Sequence, residues 1–176
     1  MTLSFGLWWF AGAIVYIQIA PFLVEKGFTT ASAATYVTVF GAANCLGRIA
    51  FGWLSDRIGS VWSYRAAVLT CAAASSGFAA NDRTTVIAVI VGLLGFGIGG
   101  VSAELIAVSV DLFGTRAAGA MMGTVLALMG ILGAGGPLVS GYVFDAVQSY
   151  GLAFYGGGAV FLLALLLTSG LSARRG

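Results

Sequence analysis

Long apolar runs, broken at near-regular intervals by a few charged or turn residues, set the pattern of this chain. Six segments emerge, roughly 3–24, 31–54, 62–80, 84–110, 117–144 and 151–172. At 1.5 Å per residue most of them cover the ~30 Å hydrocarbon core of a bilayer. None alternates with the period of two that a membrane strand needs. The pattern predicts an all-α integral membrane protein with six transmembrane helices. In the third segment the purely apolar part, Ala66 to Ala80, reaches only about 22 Å. Trp62 and Tyr64 are therefore expected at the membrane interface, with Arg65 snorkelling.

Composition excludes most other classes. Of 176 residues 60% are hydrophobic and 8% charged, and the mean hydropathy is +1.03. Eight basic and six acidic side chains cannot clothe a soluble domain of this length. The first apolar run has no Lys or Arg before Lys26, so it lacks the positive n-region of a signal peptide and is expected to be a retained span. Histidine is absent, which removes Ser-His and Cys-His nucleophile pairs and His-ligated metal. Cys45 and Cys71 sit singly in apolar runs and form neither a redox pair nor a zinc site. Gly95-Phe96-Gly97-Ile98-Gly99-Gly100 formally satisfies GxGxxG, but it lies mid-span with no strand before it, so dinucleotide binding is rejected in favour of close helix crossing. No Gly-Lys-Ser/Thr phosphate loop is present. No cofactor, metal, nucleic-acid partner or enzymatic activity is expected.

Charge placement gives orientation. Arg48, Arg57, Arg65, Arg116, Arg174 and Arg175 fall on the side of the even-numbered loops and the C-terminus, against Lys26 and Arg83 on the other side. The positive-inside bias then puts both termini in the cytoplasm of a cell-membrane protein. An offset of 89 residues aligns Gly47, Gly52 and Asp56 with Gly136, Gly141 and Asp145, Trp53 with Tyr142, and Thr35, Gly41 and Ser60 with Thr124, Gly130 and Ser149. The offset crosses three spans, an odd number, so it reverses orientation. Two inverted three-helix repeats, about 1–80 and 84–172, are expected within a single bundle over 1–176. A plainer reading, that both GxxxxG patterns only allow close helix packing, is compatible with this one.

Between the second and third segments lies Gly52-Trp53-Leu54-Ser55-Asp56-Arg57-Ile58-Gly59, with the lead-in Gly47-Arg48-Ile49-Ala50-Phe51-Gly52. The fit to Gly-x-x-x-Asp-Arg-x-Gly resembles the signature of major facilitator superfamily transporters, carried on the cytoplasmic loop between the second and third helices of each six-helix half. The lead-in resembles the C-terminal half of such a protein, of the monocarboxylate or oxalate/formate branch. The resemblance implies alternating access around a midplane site between two halves, with Gly52, Asp56, Arg57 and Gly59 as a gating motif. Asp56 would hold the inner gate at a helix N-terminus of the other half. It covers essentially all of the chain yet supplies one bundle. A piece of a longer protein is the expected reading. A half paired with a separately encoded half, or with a second copy, stays open.

Arg48 is the sharpest candidate for chemistry. It lies eight residues, about 12 Å of helix, inside the membrane from Asp56. An unpaired guanidinium there costs about 2.5–3.5 kcal/mol even on the lenient insertion scale, so it should face a cavity or a partner. Asn44 lies one turn further in, and together they would suit a carboxylate. The rival is snorkelling or an ion pair with Glu104, about 10 Å from the edge of helix four if that helix ends near Asp111. The branch resemblance implies an arginine at the Arg48 position for the anionic substrate and an acid one turn earlier for proton coupling, and here Asn44 replaces that acid. Oxalate-exchanging relatives also carry a lysine in the eleventh helix, whereas residues 117–144 contain none.

Glu104, the one acid well inside a span, is the coupling candidate, or an inner-gate residue. Tyr16, Gln18 and Pro21 interrupt the first span, as cavity-lining residues or as an aromatic-belt residue and a terminal kink. Gly133-Ala134-Gly135-Gly136-Pro137 is expected to break helix five. The expected function is secondary active transport of a small solute, an organic anion such as a monocarboxylate. A neutral or cationic solute, or a non-transporting membrane scaffold, are the alternatives. Reporter fusions at residues 56 and 145 are expected to report opposite compartments, 56 on the cytoplasmic side, and a shared compartment would exclude the inverted repeat.

Overall fold

Three glycines with positive φ, Gly27 (88°), Gly59 (89°) and Gly114 (74°), turn the chain where a side chain would be strained. The computed structural model describes residues 1–80, 83–147 and 151–168, apart from the side chains of 79, 84, 112, 113 and 115–118. Ser149, Arg174, Arg175 and the Arg116 side chain lie outside the described residues. Among the described residues there are six helices: α1 (Thr2–Glu25), α2 (Thr30–Ile58), α3 (Ser60–Ala80), α4 (Thr85–Asp111), α5 (Gly119–Val147) and α6 (Gly151–Leu166). Helix α4 runs into α5 through one stretch, Thr84–Val147, whose non-helical residue is Gly114. The α1–α2 corner closes through Phe28 N–H to the Leu23 carbonyl at 3.0 Å, and Thr29 Oγ1 caps α2 by accepting from Ser32 N–H at 3.2 Å.

Four helices, α1, α2, α4 and α5, are long and apolar enough to cross a membrane. The 21-residue α3 falls outside that set, and α6 is described over 16 residues. Two local expectations are corrected. Asp56 and Arg57 belong to the last turn of α2, not to a loop, because one residue at Gly59 suffices to reverse the chain. Tyr64 is fully buried in the bundle, 2.7 Å from Ser4 Oγ near the start of α1. The single Ser4 hydrogen goes to the Ala164 carbonyl at 2.7 Å, so Tyr64 is the donor in that pair. Helix five does not break at Gly133–Pro137: helical geometry continues through Pro137, which neighbouring helices tolerate in a bundle.

Arg65 lies over the Trp62 ring at 4.6 Å, and its Nε donates to Thr168 Oγ1 at 3.2 Å. Its Nη2 donates to the Thr168 carbonyl. The cation thus closes the C-terminal end of α6.

Packing has a reciprocal form. Helix α1 lies against α5 and α6, α4 lies against α2 and α3, and α3 meets α6. The most apolar stretches of α1 and α4 are 50% buried and those of α2 and α5 only 17%, so the first pair is central and the second flanks it. Rings of Phe22, Phe78 and Phe154 meet at 4.7 to 5.0 Å and join α1, α3 and α6.

At the α2–α4 crossing the backbones touch. A Cβ on Gly47 would strike the Phe96 carbonyl, one on Gly95 the Phe40 carbonyl, and one on Gly99 the Asn44 carbonyl. Gly97 meets Cys71 and the Ala67 carbonyl on α3 in the same way. Gly99→Ala is expected to lower stability by about 1–3 kcal/mol through overpacking, read as an earlier thermal unfolding midpoint in detergent. Gly123→Ala, where a Cβ meets nothing within 4 Å, should leave the midpoint unchanged or raise it.

Candidate functional site

Positions 40, 44 and 48 recur every four residues along α2, so Phe40, Asn44 and Arg48 form one ridge about 12 Å long. That ridge borders a cavity of about 500 Å³ between α1, α2 and α4. Helix α1 contributes Trp8, Trp9 and Tyr16, and α4 contributes Ile98 and Ser102. Tyr16 meets Phe40 across the gap at 5.1 Å between ring centres. Gly12 and Gly41 face each other's helices with open space where a Cβ would stand, which keeps the gap unfilled.

Three expected site residues, Tyr16, Asn44 and Arg48, therefore share one cavity. Asn44 Nδ2 also leans toward the Gly95 carbonyl at 3.4 Å. Among the described residues Arg48 makes no hydrogen bond or ion pair, and it is exposed. Gln18 lies elsewhere: it is buried, and its Nε2 donates to Ser140 Oγ at 2.7 Å, tying α1 to α5. Ser140 Oγ in turn donates to the Pro137 carbonyl at 3.1 Å.

Glu104 does not meet Arg48. Its side chain is fully buried between α2, α3 and α4, where Ser55 Oγ lies 2.9 Å from Oε2 and Ser63 Oγ 2.8 Å from Oε1. Because α2 and α4 run parallel, this level is that of Ser55, seven residues or about 10 Å from Arg48. Ser63 Oγ also lies 2.9 Å from the Phe51 carbonyl. A hydroxyl has one hydrogen, and a carbonyl and a carboxylate are both acceptors. Both Ser63 contacts are satisfied together when the carboxyl proton sits on Oε1 and is donated to Ser63, which then donates to Phe51. A neutral acid also avoids the cost of an uncompensated buried charge.

In the signature segment, Arg57 stacks over Trp53 at 4.2 Å, one helical turn back, and Asp56 is exposed beside it. A Cβ on Gly52 would meet open space. The motif is thus a charged ledge at the end of α2, immediately beyond Ser55.

Trp8, Trp9, Phe40, Ser102, Gly12 and Gly41 were not legible as site residues, because aromatic and glycine residues are common in apolar spans. The four-residue spacing of Asn44 and Arg48 is the signal that pointed to the ridge, and one more step of four reaches Phe40.

A bundle of apolar helices with a cation-bearing cavity between them has the make-up of a membrane transport protein. Residues 1–175 match the family model for the Major Facilitator Superfamily, and the chain belongs to that superfamily. It is a major facilitator transporter by family. No curated protein matches the chain.

Glu104→Gln, which keeps the volume and one donor, is expected to unfold within about 1 kcal/mol of the parent. Glu104→Ala should lose about 1–3 kcal/mol through unpaired hydroxyls and a void. Thermal unfolding in detergent reads both, and a Gln variant as damaged as the Ala variant would indicate an ionised carboxylate.

Proposed function

We propose that this chain forms one six-helix half of a secondary transporter that moves a small organic anion, a monocarboxylate, by alternating access. The observation that carries the reading is the exposed Arg48 guanidinium on the cavity wall, with Asn44 one turn away and no hydrogen-bonding or ionic partner among the described residues. A cation held at this depth is favourable when an anion or a polar cavity receives it. Its fork of donors suits the two oxygens of a carboxylate.

The reciprocal packing supports two inverted trios. Exchanging α1, α2, α3 with α4, α5, α6 carries the α1–α5 and α1–α6 contacts onto α4–α2 and α4–α3. The 89-residue offset also carries Gly47, which touches the α4 backbone, onto Gly136, where a Cβ would press on Phe10 and Ala13 of α1. Reading all six helices as spans, with both termini cytoplasmic, rests on the arginine bias. Large apolar side chains on the flanking helices, among them Ile49 and Trp53 on α2 and Ile131 and Tyr142 on α5, are more than half exposed, which suits lipid or a second half. That second bundle would close the open side of the cavity, as part of a longer chain, as a separate chain or as a second copy.

Glu104 is the proposed coupling acid. Loss of its proton would remove the hydrogen that Ser63 accepts and set α2 against α3 beside the Asp56 ledge. Gln18 is left a bracing role through Ser140.

The test is uptake by the reconstituted assembly. Arg48→Ala is expected to lower monocarboxylate uptake at least tenfold, Arg48→Lys to recover part of it, and Glu104→Gln to retain exchange while losing pH-driven accumulation. Unchanged uptake in both Arg48 variants would overturn the anion reading.

A further inference from the structure

We infer that the cavity selects a monoanion with a flat aromatic body over a short aliphatic acid. The inference rests on Arg48 being the anion contact and adds to it the chemistry of the remaining wall.

Arg48 carries the one charge among the described lining residues. A second carboxylate would find no cation there and would lie against apolar and aromatic groups, where an uncompensated charge is unfavourable. Rings dominate what is left. Trp9 and Tyr16 are 42% and 51% exposed, and Phe40, itself buried, packs against Tyr16. Exposed ring faces lining a gap between helices are surfaces that another ring can cover by offset stacking.

The spacing fits the same ligand. From Phe40 to Arg48 the ridge rises about 12 Å, with Asn44 halfway. Tyr16 marks the Phe40 level, and Trp9, seven residues earlier on the antiparallel α1, lies near the Arg48 level. A carboxylate held by Arg48 would therefore have aromatic surface beside it and along the way to Phe40. The cavity of about 500 Å³ lies in the range that encloses drug-sized ligands. A two- or three-carbon acid would leave the rings wet. An aryl acid would cover them and exclude water from the guanidinium, which strengthens the carboxylate contact.

Isothermal titration calorimetry on the full chain in nanodiscs, with empty nanodiscs subtracted, tests this. The probes are 2-naphthoate, neutral 2-naphthamide, acetate and the dianion 2,6-naphthalenedicarboxylate. Naphthoate is expected to bind saturably and at least about tenfold more tightly than each of the others, the tenfold being that of one charge-assisted pair. Arg48→Gln should bring naphthoate down to naphthamide. Trp9→Leu and Tyr16→Leu should weaken naphthoate several-fold and leave acetate unchanged, with unfolding midpoints showing that the variants are folded.

Acetate binding as tightly as naphthoate, with both lost in Arg48→Gln, would sink the aromatic selection and leave the anion reading standing. Naphthamide equal to naphthoate, both indifferent to Arg48→Gln, would sink the anion reading itself. The dianion matching naphthoate would overturn the single-charge argument, and no saturable naphthoate binding by the folded parent chain would overturn the proposal.

Discussion

Backbone contact between α2 and α4 is the constraint on which the rest of the site depends. Gly47, Gly95 and Gly99 let carbonyl oxygens of one helix rest where the other helix would otherwise carry a Cβ. In a membrane, where water does not drive helices together, such close approach is a main source of association. It also fixes rotation. With the glycine face of α2 turned to α4, the adjacent ridge of Phe40, Asn44 and Arg48 is turned toward α1, and a cavity forms where Gly12 and Gly41 leave the gap open. Two turns along the same contact, Ser55 and Phe51 reach the hydroxyl and carboxyl cluster around Glu104.

Arg48 and Glu104 are thereby treated in opposite ways. Glu104 is enclosed and supplied with hydroxyl partners, an environment that suits a neutral acid. Arg48 is left open on a wall with an amide and aromatic rings as neighbours. Pairing them would have neutralised both and filled the site. Their separation by about two turns of helix keeps the cation available and leaves the acid against Ser55, next to the Asp56 and Arg57 ledge of α2.

Polar side chains elsewhere do quieter work. Gln18 with Ser140, Ser4 with Tyr64 and Ala164, Ser75 with the Phe154 carbonyl, and Arg65 with Thr168 each join two helices that the apolar contacts alone would not register. None of these pairs is close in sequence. A hydroxyl or amide in an apolar run announces that it needs a partner but not which helix provides it, which is why Gln18 read as a cavity residue.

Helix number, helix extents to within a few residues and the family signature followed from local pattern, since apolar length and charged breaks are set by the bilayer and the backbone, one residue after another. The glycine pairs were visible too, because GxxxG spacing places small residues on one face whatever lies opposite. Tertiary structure alone decided the partners. It set Glu104 on Ser55 and Ser63 and away from Arg48, moved Asp56 and Arg57 from a loop into the last turn of α2, kept α5 helical through Pro137, and gathered Trp8, Trp9 and Ser102 around the ridge. Those outcomes depend on the rotation and relative height of neighbouring helices. A shift of one residue in either moves a side chain to another face, and periodicity within a single helix carries no information about its neighbour's register.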